Sequence, residues 1–304
     1  MLDISSSISK IKLKNPTMVA SGILGETGES LFSLSREGCG ALVTKSIGIE
    51  PREGHLNPTF VETDYGILNA MGLPNPGIDR YKPEITKALE ANIPVIGSIY
   101  GKDAEEFQQL AAKMEMWGAS GLELNLSCPH AKGYGAELGH DPSKVTGITQ
   151  AVKDVVSIPV FVKLSPNVSR ISDIAIAVEK AEGDGIVAIN TLSAMAINSE
   201  IARPVLANVT GGLSGPAIKP VGLRCVYEVK AATELPIVGC GGILTGIDAV
   251  EYIMAGASAV QIGSGVYFRG KGIFRQVCDE ISNFMETHGY DSIKEMVGLA
   301  HKNQ

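Results

Sequence analysis

Gly121-Leu122-Glu123-Leu124-Asn125-Leu126-Ser127-Cys128-Pro129-His130 is the stretch that decides the fold reading. Its first six residues alternate as a short buried strand does, and Pro129 stops any further ladder pairing. The strand therefore closes on an amide, a hydroxyl and a thiol. In a chain that repeats strand and helix, strand ends are where reacting groups are placed. A thiol at that spot can serve as a base or a nucleophile.

Outward from this strand the same pattern recurs. Continuous apolar strands begin near residues 17, 41, 94, 121, 160, 185, 237 and 259, and each is followed by a helical stretch. Uninterrupted Val/Ile runs mark strands buried on both faces, hence a parallel sheet covered by helices. Units of this number suit an α/β fold of the (β/α)8 TIM-barrel type, about 250 residues plus insertions. A doubly wound open sheet is the alternative, weakened because no GxGxxG follows the first strand. Ile11–Pro16 reads as an N-terminal strand and turn, Asp103 as the N-cap of a helix to Trp117, and Pro142 as the first-turn proline of a helix to Val156. Two long segments, 47–77 and the one reaching Pro216, do not repeat; loops of that length are usually functional. Both belong at the carboxyl mouth of the barrel. Residues 1–304 are read as one domain.

Composition narrows the function. There are 26 Lys and Arg against 33 Asp and Glu, a net charge of −7, and no cluster of basic residues to neutralise phosphates. Nucleic acid is therefore not expected as a partner. The amino terminus lacks the basic flank and apolar core of a signal peptide. The uncharged stretch from Tyr252 to Phe268 is broken by Gly256, Gly263 and Gly265, so no membrane span is expected and the location is read as cytoplasmic. Cysteines at 39, 128, 225, 240 and 278 are odd in number and form no CxxC pair. Neither a disulfide framework nor a metal site follows; an iron–sulfur cluster, if one is used, belongs to another chain.

The last polar residues of the strands are Ser21, Lys45 with Ser46, Ser98, Asn125 with Cys128, Lys163, Asn190 with Thr191, Gly241-Gly242 and Gly263-Ser264. In a barrel they converge at the carboxyl mouth. Lysines, asparagines and a thiol around one opening suit a planar, polar, electron-accepting heterocycle, since amides match ring carbonyl and N–H groups. Glycine turns after the seventh and eighth strands are where barrels hold phosphate, and Gly215 adds a further close approach. Plainer readings stand beside these. Glycines also simply make tight turns, Asn69 suits turn chemistry, and a lone cysteine is often an inert small hydrophobe. Cys128 is favoured for chemistry by its place on a strand-end loop. A lysine closing an apolar strand needs an anion to answer its burial. Cys39, Cys225, Cys240 and Cys278 are read as core thiols.

Thr44-Lys45-Ser46, Asn69-Ala70-Met71-Gly72-Leu73, Asn125-Leu126-Ser127-Cys128-Pro129, Val162-Lys163-Leu164-Ser165-Pro166, Asn190-Thr191, Gly239-Cys240-Gly241-Gly242-Ile243 and Ile262-Gly263-Ser264 occur in that order between Pro16 and Arg269. With this set the sequence resembles the dihydroorotate dehydrogenase family. The resemblance implies one FMN in the mouth with dihydroorotate stacked on its ring. By position, Ser21, Lys45, Ser46, Asn125, Lys163, Ile189, Gly215, Gly241, Gly242, Gly263 and Ser264 would hold the flavin. Lys45, Asn69, Ala70, Met71, Gly72, Leu73, Asn125, Asn190 and Thr191 would hold the substrate. Cys128 would be the catalytic base that takes the C5 proton while hydride leaves C6. Lys163 would stabilise charge developing on the flavin. Closure of the 128–141 loop, with Gly133, Gly135 and Gly139, would exclude water.

The Cys128-Pro129-His130 stretch and the glycines after it resemble the NAD-linked heteromeric class. That class implies a homodimer core joined by an iron–sulfur flavoprotein subunit bearing FAD and 2Fe–2S, a heterotetramer acting in pyrimidine biosynthesis. Quinone-linked members use a serine base and carry an extra amino-terminal helix; neither is seen here. Ser98 stands where many relatives have asparagine, and with the bulky Tyr100 nearby it is left out of the flavin set. The rival readings are a dihydropyrimidine dehydrogenase-type subunit, which lacks the Asn69–Leu73 stretch, and a dihydrouridine synthase, which needs a basic surface. A non-redox phosphate-binding aldolase or isomerase barrel and a non-catalytic binding subunit complete the set.

Overall fold

The computed structural model describes residues 2–126 and 136–302. Parallel strands β1 (Thr17–Val19), β2 (Leu42–Val43), β3 (Val95–Ile99), β4 (Gly121–Asn125), β5 (Val160–Leu164), β6 (Gly185–Ala188), β7 (Ile237–Cys240) and β8 (Ala257–Ile262) form one sheet. Their hydrogen-bonded order is β1-β8-β7-β6-β5-β4-β3-β2. A parallel bridge between Met18 and Ala41 joins the two ends and closes the cylinder. The expected TIM barrel is therefore present. Helices begin where local chemistry starts them: the Asp103 carboxylate accepts from Glu106 N–H, and Pro142 occupies the first turn after the Asp141 cap. Thr245 and Asp248 cap each other reciprocally, which satisfies N–H groups that the helix itself leaves open.

Each strand buries two faces with different partners. Leu122, Leu124, Val160, Val162 and Ile186 point outward into the layer shared with the helices. Met18, Val43, Ile96, Phe161, Val187, Val238 and Ala259 point inward and meet in the lumen. An antiparallel hairpin of Ser6–Ile8 and Ile11–Leu13 adds Ile8, Ile11 and Leu13 to that inner cluster. Ile11 lies against Gly121, the first residue of β4, where a Cβ would come within 2.9 Å of its side chain. The hairpin thus plugs the amino-terminal end of the barrel and leaves the carboxyl end for the polar residues.

The long segments at the mouth are more ordered than the sequence reading has them. Phe60–Thr63, Gly66–Asn69, Leu192–Ala194 and Gly211–Ser214 pair as one antiparallel sheet, with Gly212 opposite Asn69 and Leu213 opposite Leu68. Its strands are only three or four residues long, and its central pair joins segments far apart in sequence, so local pattern carries little of the signal. Among the described residues no helix is long and apolar enough to cross a membrane.

Leu13 is fully sequestered in the plug. Leu13→Ala should lower unfolding stability by about 2–5 kcal/mol, read as a lower urea midpoint at unchanged slope.

Candidate active site at the barrel mouth

Four strand ends are tied by neutral hydrogen bonds. Ser21 Oγ, just after β1, donates to the Thr44 carbonyl at 2.9 Å and lies 3.2 Å from Ser46 Oγ. Ser46 Oγ is 2.9 Å from Ser98 Oγ on β3 and accepts from Asn125 Nδ2 at 2.9 Å. Hydroxyls both donate and accept, so this row can re-orient toward a heterocycle edge. Ser98, left out of the sequence-derived flavin set, sits in the middle of it. Its spacing of two from the inward Ile96 is the signal that marks it.

One layer deeper, β4, β5 and β8 bring three polar side chains together. Lys163 Nζ donates to Gln261 Oε1 at 2.7 Å, and Gln261 Nε2 donates to Glu123 Oε2 at 2.6 Å. Lys163 Nζ also lies 3.6 Å from Glu123 Oε1. Burial works against the Lys163 charge, and the Glu123 carboxylate outweighs it, holding the ammonium above the usual lysine range. The anion that answers this lysine is thus a residue of the chain itself. Neither Glu123 nor Gln261 is among the sequence-derived site residues, although Gln261 holds the same penultimate position in β8 that Lys163 holds in β5. Lys45 differs: it is partly open and faces the exposed Glu26 carboxylate at 3.5 Å, a pairing worth little in water.

The second sheet gathers the next group. Asn69 Nδ2 donates to the Gly212 carbonyl at 3.3 Å, and a Cβ on Gly212 would strike Thr191 Oγ1. Asn69 and Thr191 therefore both lie against Gly212 of the strand Gly211–Ser214. Asn190 donates its backbone N–H to Leu164 at 2.8 Å, and its Oδ1 accepts from Thr191 N–H at 2.8 Å. Ala70 is buried and Met71 exposed. Gly72 and Leu73 both have positive φ, 76° and 56°, a sharp bend that is uncommon for a leucine.

The glycine turns converge as well. Gly241, Gly242 and Gly215 have φ of 128°, 70° and 99°, the region that glycine tolerates. A Cβ on Gly242 would lie 2.7 Å from the Gly215 carbonyl, so the two turns touch. Tyr252 Oη donates to the Gly241 carbonyl at 2.7 Å and pins the first of them. Ile189 is buried, donates its N–H to the Cys240 carbonyl at 2.9 Å, and follows a cis peptide bond. Gly263 and Ser264 join the end of β8 to the helix Ser264–Arg269.

Cys128 lies outside the described residues, as do Gly133 and Gly135 of the loop expected to close. Cys39, Cys225, Cys240 and Cys278 are all buried. Burial pushes the Cys39 thiol up to about 12 and those of Cys225 and Cys278 up to about 11. Among the described residues no cluster of His, Cys, Asp and Glu is suited to a metal ion.

The chain is similar to proteins already known. A family model described as dihydroorotate dehydrogenase matches residues 3–285. The chain is 52% identical to the dihydroorotate dehydrogenase B (NAD+) catalytic subunit of Methanocaldococcus jannaschii, covering 98% of each. It is 54% identical to the protein of the same description from Thermoplasma volcanium, covering 99% of this chain and all of the other. A crystal structure of DHODH from Eimeria tenella in complex with ferulenol superposes with a TM-score of 0.87 at 25% identity, covering 98% of this chain and 89% of that one. On that family match and on half-identity along nearly its whole length, the chain belongs to the dihydroorotate dehydrogenase family.

Proposed function

We propose that this chain is the catalytic subunit of an NAD-linked dihydroorotate dehydrogenase, oxidising (S)-dihydroorotate to orotate in pyrimidine (UMP) biosynthesis. The observation that carries the reading is the 52% and 54% identity, across 98% or more of both chains, to relatives described in those terms.

The residues of the mouth suit FMN. The glycine cradle at 241, 242 and 215 has no room for a Cβ at Gly242, which is the close backbone approach that a phosphate needs. The Ser21–Ser46–Ser98–Asn125 row offers donors and acceptors to a heterocycle edge, and Lys163 offers a buried cation. Ser21, Lys45, Ser46, Asn125, Lys163, Ile189, Gly215, Gly241, Gly242, Gly263 and Ser264 would hold the cofactor. When bound, FMN supplies the acceptor for the hydride that leaves substrate C6.

The chain's own groups do the rest. Cys128 takes the proton from C5; loss of that proton and of the C6 hydride leaves the C5–C6 double bond of orotate. A C–H acid beside a carbonyl needs a base with a pKa near working pH, and a thiol near 8.5 qualifies once modestly lowered. Lys45, with Asn69, Ala70, Met71, Gly72 and Leu73, meets the substrate carboxylate. Asn125, Asn190 and Thr191 orient the ring through paired donors and acceptors. Lys163 keeps positive charge where negative charge develops. Electrons leave for NAD through a partner iron–sulfur flavoprotein with FAD and a 2Fe–2S cluster, bound to a homodimer of this chain in the cytoplasm. The relatives' description as a catalytic subunit supports a partner.

The deciding assay is turnover of dihydroorotate with NAD, fumarate or quinone, with and without a co-purified iron–sulfur flavoprotein. NAD reduction should require that partner; reaction of uracil with a nicotinamide cofactor but none of dihydroorotate would overturn the substrate assignment. Cys128→Ser should lower kcat by roughly 10²–10⁴-fold near neutral pH and move the ascending, acid-side limb of the pH profile to higher pH, whereas unchanged turnover would remove Cys128 from the base role. Gly242→Ala should weaken FMN binding by about tenfold or more, because a positive φ and a clash must both be relieved. Fluorescence titration of the FMN-free chain measures it.

A further inference from the structure

Glu123 is the feature of the barrel that the proposed reaction leaves unused. It sits on the inward face of β4, two residues before Asn125, and is 1% exposed, as is Gln261; Lys163 is 5% exposed. Below them the lumen is lined by Met18, Phe161, Val187 and Ala259, none of which can solvate a carboxylate. Glu123 Oε1 accepts no hydrogen bond. It faces Lys163 Nζ at 3.6 Å instead, while Oε2 is held by Gln261. Gln261 bridges both charges, donating to one and accepting from the other. This amide therefore fixes the distance between carboxylate and ammonium. An ammonium has three donors, and Gln261 takes one, so Lys163 keeps donor capacity for a group in the mouth.

We propose that Glu123, coupled through Gln261, is a positioning residue that keeps Lys163 protonated and aimed at the flavin edge. The inference rests on the reading of FMN in the mouth. Its electrostatic half stands without the cofactor. Burial alone lowers the pKa of Lys163, and the Glu123 carboxylate raises it again. Cys240 on β7 is the other titratable group facing Lys163, and burial keeps its thiol in the neutral form by raising its pKa. A carboxylate is therefore the one source of compensating charge among the described neighbours of this lysine.

The test separates the two halves. In the FMN-free full chain labelled with [ε-¹³C]lysine, the Lys163 signal, assigned with Lys163→Met, should show no titration through pH 9. In Glu123→Gln, which keeps the shape and the Gln261 hydrogen bond, its midpoint should fall by about 1–3 pH units, the effect of removing an opposite charge at this range. An unchanged midpoint would overturn the proposal whether or not flavin binds. FMN titration of the same two proteins should then show affinity falling about tenfold for each pH unit above the new midpoint in the variant and staying flat in the parent. A lowered midpoint with pH-independent FMN affinity would overturn the positioning half, and failure of the parent chain to bind FMN would overturn the cofactor reading alone. If Glu123→Gln does not fold, Gln261→Met removes the bridge and keeps both charges. It should weaken FMN binding equally at all pH values, and unaltered affinity would count against the proposal.

Discussion

An ammonium group inside an apolar cylinder has to be answered by charge and by hydrogen bonds, and the upper half of this barrel is arranged around that requirement. Removing an ion from water costs several kcal/mol even after relaxation, and a pair is often no more stable than well-packed hydrophobic residues in its place. The Lys163–Glu123 pair is therefore poorly explained as a stabilising device. It lies on top of layers that pack without polar groups, where Phe161, Val187 and Val238 meet the Ile8–Leu13 plug. Stability is concentrated at the closed end and polarity at the open one.

That division sets what the mouth can be made of. A buried cation leaves little tolerance for further charge nearby, and the next layer is neutral: Ser21, Ser46, Ser98 and Asn125. The row supplies donors and acceptors without adding charge. The partly buried cation Lys45 pairs instead with the exposed Glu26. The antiparallel sheet built from the two long segments then sets Asn69 beside Thr191 on Gly212. The glycine turns, the hydroxyl row and the second sheet are thus held by different elements, each with its own source of rigidity.

The barrel was legible because its signal is repetitive. Eight apolar runs with helices between them leave few alternatives, and the strands fall within a few residues of the positions read from the pattern. The mouth residues were legible for a related reason, since a polar residue at the end of an apolar run has one place to go. Glu123 and Gln261 were harder to read because a polar residue within a strand interrupts the apolar pattern without saying what it meets, whereas the strand-end pattern puts Ser98 at the mouth, set aside only because many relatives carry asparagine there and Tyr100 is bulky nearby. Lys163 shows the limit most directly: its burial implied an anion, and the register between neighbouring strands, invisible in one dimension, supplied Glu123. The sheet at residues 60–69 and 192–214 escaped because its central pairing spans segments separated by about half the chain.

Strand register connects these levels. Asn125 pairs with Lys163 and Glu123 with Phe161 between β4 and β5, while Ser98 pairs with Glu123 between β3 and β4. Side chains alternate along a strand, so sliding a strand by one residue turns its inward set toward the helices. A single slip of β4 would place Leu122 and Leu124 in the lumen and press Glu123 and Asn125 against the helix layer. Lys163 would then lose its carboxylate partner and Ser46 the Asn125 donor. The outward Leu122 and Leu124, fully buried in the helix layer, oppose that slip on hydrophobic grounds alone. The same apolar alternation that makes β4 a strand therefore also aligns the carboxylate, the ammonium and the amide at one end of the barrel.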